Sequence, residues 1–359
     1  MKKLHPYILT CFAAFLAACS TEVPKSEIYK IALVPEIQGQ SGIYTLNSDR
    51  TGGKRVVTDD TAQLRPSSWS PDGKKIAFFA ARSEDYSIRQ KYKMPLHFPL
   101  YLMNSSGGEQ KRLLDFPASS FEWSPDSLRL LVVSAYEDPA GNDPAVLKQM
   151  KAPMSAAYIL DLQTGAQNRV TGFAQYCYGS WSPDGSRLAI SFGDTKSSDI
   201  FVSTVDGKRT WRVSDSTGIN LKPAWSPDGK RIAYISFVPK SGVLVGDTCV
   251  IEFNGSNKKQ YTNADAYEVA WSRDGKWLML KTAKGFLLQS VDENLTVEMK
   301  NKVIQPQDPV FTPDGKGVMF RSNHEGPNYL YTVDLNGDNI VRMSGNLSAS
   351  WFALSHIRQ

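Results

Sequence analysis

The chain has 359 residues, 41% of them hydrophobic and only 21% charged, which is enough apolar material for a closed core and too little charge for a disordered chain. Gly 26, Pro 20, Phe 16, Trp 8 and Tyr 15 favour many short strands joined by tight turns and exclude collagen and coiled coil. The formal charge of +5 falls to +3 when a leader carrying Lys2 and Lys3 is removed, too little to argue for a nucleic-acid partner on a chain of this size.

Lys2 and Lys3 precede an apolar stretch from Tyr7 to Leu16 that is shorter than a membrane-spanning helix, and small residues follow, the pattern of an export signal. Its end, Leu16-Ala17-Ala18-Cys19, resembles the bacterial lipobox. That resemblance implies a signal peptide over residues 1–18 and acylation of Cys19 as the first mature residue. Ser20, where an aspartate would signal retention, implies the outer membrane, with the protein facing the periplasm. Acyl chains anchor firmly because each buried methylene contributes about 0.8 kcal/mol. Residues 19–27 then form a tether of about eight residues, at ~3.5 Å each no longer than ~28 Å, so the folded body, residues 28–359, sits close to the bilayer.

After the tether, Tyr29 to Val34, Gly42 to Leu46 and Arg55 to Thr58 read as three successive strands. From there one string recurs: Trp69-Ser70-Pro71-Asp72-Gly73, Trp123-Ser124-Pro125-Asp126-Ser127, Trp181-Ser182-Pro183-Asp184-Gly185, Trp225-Ser226-Pro227-Asp228-Gly229, Trp271-Ser272-Arg273-Asp274-Gly275 and Phe311-Thr312-Pro313-Asp314-Gly315. Each is followed by a β-rich run such as Ile76 to Phe79 or Leu188 to Ser191, usually by a second, and then by a turn and a short closing segment. The unit is therefore four antiparallel strands. The aromatic leads are 54, 58, 44, 46 and 40 residues apart, near the period of a propeller blade, with insertions in the first two units. One blade cannot bury both faces; stacking blades does, with each lead aromatic wedged between sheets.

The pentad suits a turn on its own chemistry. Pro presets φ, Asp accepts backbone amides, and Gly takes the left-handed position that follows. Ser127, Arg273 and Phe311-Thr312 depart from the pattern and weaken the turn signal without changing the period. One carboxylate per repeat lies too far from the next to fill a calcium shell, so the aspartates read as turn residues, and no metal or cofactor is expected.

The repeat resembles the TolB-type β-propeller repeat, also seen in the propellers of prolyl oligopeptidase and dipeptidyl peptidase relatives, over roughly residues 28 to 357. Ser350-Trp351-Phe352-Ala353 stands 40 residues after Phe311 and echoes the start of a repeat without its turn. Pairing this C-terminal strand with the three N-terminal ones closes the ring and removes exposed edges. The expectation is all-β: a monomeric seven-bladed β-propeller of four-stranded antiparallel blades, with six blades, the TolB number, in reserve. The short lead-in leaves no room for the additional N-terminal domain of TolB, so the resemblance implies a TolB-like lipoprotein other than TolB.

Chemistry is sought on the loops. Residues 82–99 carry Arg89, Lys91, Tyr92, Lys93, His97 and Phe98; residues 136–155 carry Asp143-Pro144 and a short helix over Ala145 to Lys151 whose Leu147 and Met150 supply an apolar edge. The segments leading into first strands place Arg65, Tyr176, Tyr178, Lys222 and Tyr267 toward the same face, a cationic and aromatic lining suited to an acidic peptide or a sugar. His97, His324 and His356 are isolated, no G-x-S-x-G elbow occurs and no hydrolase segment follows the last repeat, so the chain reads as non-enzymatic. Two partner classes follow: an envelope protein presenting an acidic segment, or a glycan such as peptidoglycan, with an enzyme acting on an acidic polysaccharide through His97 a distant third. Cys177 and Cys249 either pair across adjacent blades or stay as two buried thiols, the latter being favoured.

Overall fold

The computed structural model describes residues 28–35, 42–58, 63–82, 98–108, 110–114, 116, 118–134, 155–172, 174–215, 218–262, 265–293, 295–299, 304–344 and 348–355. Among them every regular element is a strand, and no helix is long and apolar enough to cross a membrane. Cys19, the leader, most of the 82–99 loop and the helix expected over Ala145 to Lys151 lie outside the described residues. The contacts divide the chain into two compact units, Met1–Ser83 with Tyr101–Lys111 and Lys300–Gln359, and Glu84–Leu100 with Arg112–Met299.

The first unit holds three four-stranded sheets. One joins β1 (Lys30–Pro35), β2 (Gly42–Asn47) and β3 (Lys54–Thr58) to β28 (Ala349–Leu354) in the order β28-β1-β2-β3. The two chain ends thus share a sheet, with Ile31 opposite Leu354 and Leu33 opposite Phe352. The second is β4 (Gln63–Trp69), β5 (Lys75–Ala81), β6 (Leu100–Asn104) and β7 (Lys111–Arg112); the third is β24 (Gln307–Phe311), β25 (Gly317–Ser322), β26 (Tyr329–Asp334) and β27 (Val341–Arg342). Alternate residues of neighbouring sheets interdigitate: Trp69, Phe78 and Tyr101 pack on Ala32, Val34 and Ile43, while Ile31, Leu33 and Phe352 pack on Met319 and Leu330.

The second unit holds β8 (Ser120–Trp123), β9 (Arg129–Ser134), β10 (Ala156–Asp161) and β11 (Gln167–Arg169) in one sheet, and β20 (Ala266–Trp271), β21 (Trp277–Thr282), β22 (Gly285–Ser290) and β23 (Thr296–Glu298) in another. Between them in sequence lie β12 (Tyr176–Trp181), β13 (Arg187–Gly193), β14 (Ser198–Thr204) and β15 (Thr210–Arg212), then β16 (Ile219–Trp225), β17 (Arg231–Lys240), β18 (Val243–Glu252) and β19 (Lys259–Thr262). Seven separate four-stranded blades are not observed. Five four-stranded sheets stand alone, and the third and fourth repeats merge into one eight-stranded sheet through a single parallel bridge, Ser198 with Ile219. The fold class, an all-β propeller of four-stranded antiparallel blades, stands.

The pentads do what their chemistry predicts. In the first, the Ser70 hydroxyl donates to Asp72 at 2.6 Å and accepts from the Lys75 amide at 2.9 Å, Asp72 accepts the Lys74 amide at 3.0 Å, and Gly73 sits at φ +65°. Ser127 adopts the same left-handed φ of +62° without glycine, because the flanking Ser124 and Asp126 bonds hold the turn. The lead aromatics are wedged as expected, Trp181 against Leu131 and Ile159 of the preceding repeat and Trp225 against Ala189 and Val202. A further tie is not visible in the repeat itself. Trp181 Nε1 donates to the Glu122 carbonyl at 3.3 Å and Trp271 Nε1 to that of Ala224 at 3.0 Å, while the Arg129 and Arg231 guanidinium groups lie over those two indoles at 4.9 and 5.2 Å. Cys177 and Cys249 are both free and buried, in different clusters.

Candidate functional site

In the second unit the first strands β12, β16 and β20 stand beside one another and bring together residues far apart in sequence. The register of β16 breaks between Leu221 and Ala224, and that of β20 between Ala266 and Glu268. Bulges of this kind re-aim side chains. At the first of them Pro223 supplies no amide to the ladder, and Lys222 is driven to φ +53°, a conformation costly for a residue with a side chain and unusual before proline. The same sequence signal, Asp308-Pro309, sits three residues before Phe311 in the first unit, where Asp308 has φ +48° and pairs with Arg321. A proline two residues before the lead aromatic is the cue that the repeat pattern alone did not use.

Lys222 is held between two aromatic faces, its Nζ 5.6 Å from the centre of the Tyr178 ring and 5.4 Å from that of Tyr267. It also donates to Glu268 at 3.1 Å, and the second carboxylate oxygen of Glu268 faces Lys281 at 2.5 Å. Burial works against ionisation of Glu268, but Lys281 and then Lys222 outweigh it and hold the carboxyl below its ordinary range. Two ammonium groups share one carboxylate, so the cluster carries an excess positive charge. Tyr267 is 45% exposed and supplies its open edge, while burial, reinforced by Tyr176, Cys177 and Glu268, pushes the Tyr178 phenol up. Glu122 of β8 lies on the neighbouring first strand and accepts from the Trp181 amide at 3.2 Å and the Ser180 hydroxyl at 3.4 Å. Burial pushes its carboxyl up to about 7, the two hydrogen bonds offsetting only part of that effect.

Of the residues singled out from sequence, Tyr178, Lys222 and Tyr267 converge, and Tyr176 stands half-buried at the start of β12. Glu268, Lys281 and Glu122 were missed, since nothing in one repeat reports the side chains that the next repeat places against it. Phe98 is buried, bridged through its backbone to Ala118, and so lies in the packed interior rather than on an open loop. Arg65 is placed by its backbone pairing with Phe79. Arg89, Lys91, Tyr92, Lys93, His97, Leu147 and Met150 lie outside the described residues. Among the described residues no three His, Cys, Asp or Glu side chains converge as a metal site would require.

The sequence model of the TolB beta propeller domain matches residues 147–351. The chain belongs to the TolB β-propeller family. Among curated proteins it is 29% identical over 150 residues to the uncharacterized peptidase YuxL of Bacillus subtilis, covering 40% of this chain and 21% of that protein. It is 28% identical over 163 residues to the Tol-Pal system protein TolB of Bordetella pertussis, covering 42% of this chain and 35% of that one. The chain thus spans between about a fifth and a third of these relatives. Among solved structures it resembles TolB from Acinetobacter baumannii (16% identity, TM-score 0.54, 97% of this chain and 71% of that one) and oligogalacturonate lyase from Vibrio parahaemolyticus (13% identity, TM-score 0.61, 87% and 92%). At these identities the structures speak to the fold alone. The reading of the chain as non-enzymatic is corrected by this company: a named peptidase is among its sequence relatives, and the same propeller serves a lyase. The missing serine elbow and scattered histidines do not carry the exclusion placed on them, because a fold of this kind hosts unrelated chemistries.

Proposed function

We propose that this chain is an envelope propeller that docks a protein partner through the cluster around Lys222, the partner contributing an acidic segment. The observation that carries the reading is Lys222 itself, kept in a strained backbone conformation between two tyrosine rings with an exposed edge. Strain maintained at a charged, partly open position is what a binding site costs a fold. A partner carboxylate entering beside Tyr267 would meet the surplus charge of Lys222 and Lys281 and compete with Glu268 for it. Arg89, Lys91, Tyr92, Lys93, His97, Phe98, Leu147 and Met150, the partner contacts expected from the sequence, belong to the same proposal, Phe98 acting there from its buried position.

The proposal includes the frame that presents the site. Counting the two halves of the merged sheet as separate repeats gives seven four-stranded blades over residues 28–359, in accord with six pentads and the Trp351 echo. Residues 1–18 act as the export signal, Cys19 as the acylated anchor and 19–27 as the tether, holding the propeller on the periplasmic side of the outer membrane.

A photo-crosslinking amino acid at position 267, in cells carrying the full chain, tests the docking. One recurrent polypeptide adduct that disappears with Lys222→Ala is expected; adducts of glycan only, or a protein adduct indifferent to Lys222, overturn it. Loss of radiolabelled palmitate and of membrane fractionation in Cys19→Ala checks the anchor, and retention of both overturns it.

A further inference from the structure

The third repeat contains two turns of the same construction, tied to each other. In the first, the Ser182 hydroxyl donates to Asp184 at 2.6 Å, Asp184 accepts the Ser186 amide at 3.0 Å, and Gly185 has φ +67°. In the second, the Thr204 hydroxyl donates to Asp206 at 2.6 Å, Asp206 accepts the Lys208 amide at 3.2 Å, and Gly207 has φ +70°. Thr204-Val205-Asp206-Gly207 is thus a degenerate copy of the pentad, and the Val205 amide joins the turns by donating to the Ser186 carbonyl at 3.2 Å. Arg129, from the repeat before, completes the arrangement. It donates to Asp126 at 2.8 Å and to the Gly185 carbonyl at 3.3 Å and lies over Trp181, so its guanidinium is fixed in place.

Together these elements line a recess of about 580 Å³, with Arg129, Ser186, Thr204, Asp206, Lys208 and Arg209 on its walls. Of the three lining cations, Arg129 is paired with Asp126 and Lys208 loosely with Asp206, so the surplus positive charge rests on Arg209. Lys208 reaches Asp206 only at 3.3 Å in open solvent, where such a pair holds little, and among the described residues Arg209 has no ion-pair partner. The recess is open to solvent on one side, and its volume admits a ligand larger than a bare inorganic ion, since small-molecule sites run from roughly 300 to 1,000 Å³. The walls combine rigid backbone, hydroxyl groups and a positive surplus.

We propose that this recess binds a sugar-sized anion, a saccharide bearing a phosphate or a carboxylate, with Arg209 and Lys208 engaging the charge and Arg129 forming the fixed wall. The planar fork of arginine suits either anionic group, and the test separates them. The site is distinct from the Lys222 cluster and does not depend on it.

Titration calorimetry of the mature protein with glucose 6-phosphate, glucuronate and glucose tests the assignment. At least one of the two anionic sugars is expected to bind at least about tenfold more tightly than glucose, and whichever binds identifies the group recognised. Arg209→Glu and Arg209→Gln are expected to weaken that binding by about tenfold or more, since the turn is held by main-chain and Thr204 bonds that neither change touches. Lys222→Ala is expected to leave it unchanged. The proposal is overturned if neither anion binds at ~10 mM, if glucose binds equally well, or if both Arg209 variants bind like the wild type.

Discussion

Glu122→Gln gives the sharpest check on how the first strands are held. The Glu122 carboxyl accepts two rather long hydrogen bonds, from the Trp181 amide and the Ser180 hydroxyl, and among the described residues has no cationic partner. Burial moves it from its ordinary 4.5 to about 7. Because the folded value is raised, this group's contribution is fully present below the unfolded value and is lost as pH climbs through the folded one. Each pH step across that window costs about 1.4 kcal/mol, which amounts to about 3 kcal/mol by pH 8 as an upper figure. Glutamine keeps an acceptor for the Trp181 amide and never ionises. Urea unfolding at pH 5 and pH 8 should therefore show the variant losing less stability than the wild type between the two, and standing above it at pH 8. Equal pH dependence in the two proteins would refute the enclosed, unpaired carboxyl and the packing of β12 on β8 that encloses it.

Gly246→Ala places a Cβ on the Ala266 carbonyl oxygen of the next repeat, and a loss of about 2 kcal/mol or more is expected. Gly207→Ala meets nothing within 4 Å and bears only its left-handed φ of +70°, so about 1 kcal/mol is expected; chemical denaturation that reversed this order would refute the close approach of β18 to β20. Cys177, pushed up to about 11 by burial against the weaker effect of its Thr171 contact, and the buried Cys249 should resist iodoacetamide until the protein is denatured, and then react without reductant. Peptide mapping that found the two joined would contradict their free state.

The architecture was legible because its information is local and repeated. Ser70, Asp72 and Gly73 make their turn with each other, so the string predicts the geometry, and six copies in phase predict stacked antiparallel sheets. The pairing of the Trp351 strand with the N-terminal strands could be read for the same reason, since a strand without its turn needs the three strands without a lead. Non-local effects were not legible. The parallel bridge from Ser198 to Ile219 merges two repeats through a contact that neither repeat encodes alone, and Glu268 with Lys281 became part of the candidate site only when β16 and β20 were set side by side. The overlooked local cues were the prolines two residues before a lead aromatic, Pro223 and Pro309, and the pentad-like string Thr204-Val205-Asp206-Gly207.

Composition, period and turn chemistry by themselves determined that this chain is a propeller of four-stranded sheets with its two ends in one sheet, because hydrogen bonds within a few residues and alternation along a strand act before any distant contact forms. Which side chains meet across neighbouring repeats was decided only in three dimensions. The ionised carboxyl of Glu268 and the proton on Glu122 depend on desolvation and on charges brought within a few ångströms by packing, and the recess beside Arg209 on two turns set against each other, quantities that have no counterpart in the linear order of residues.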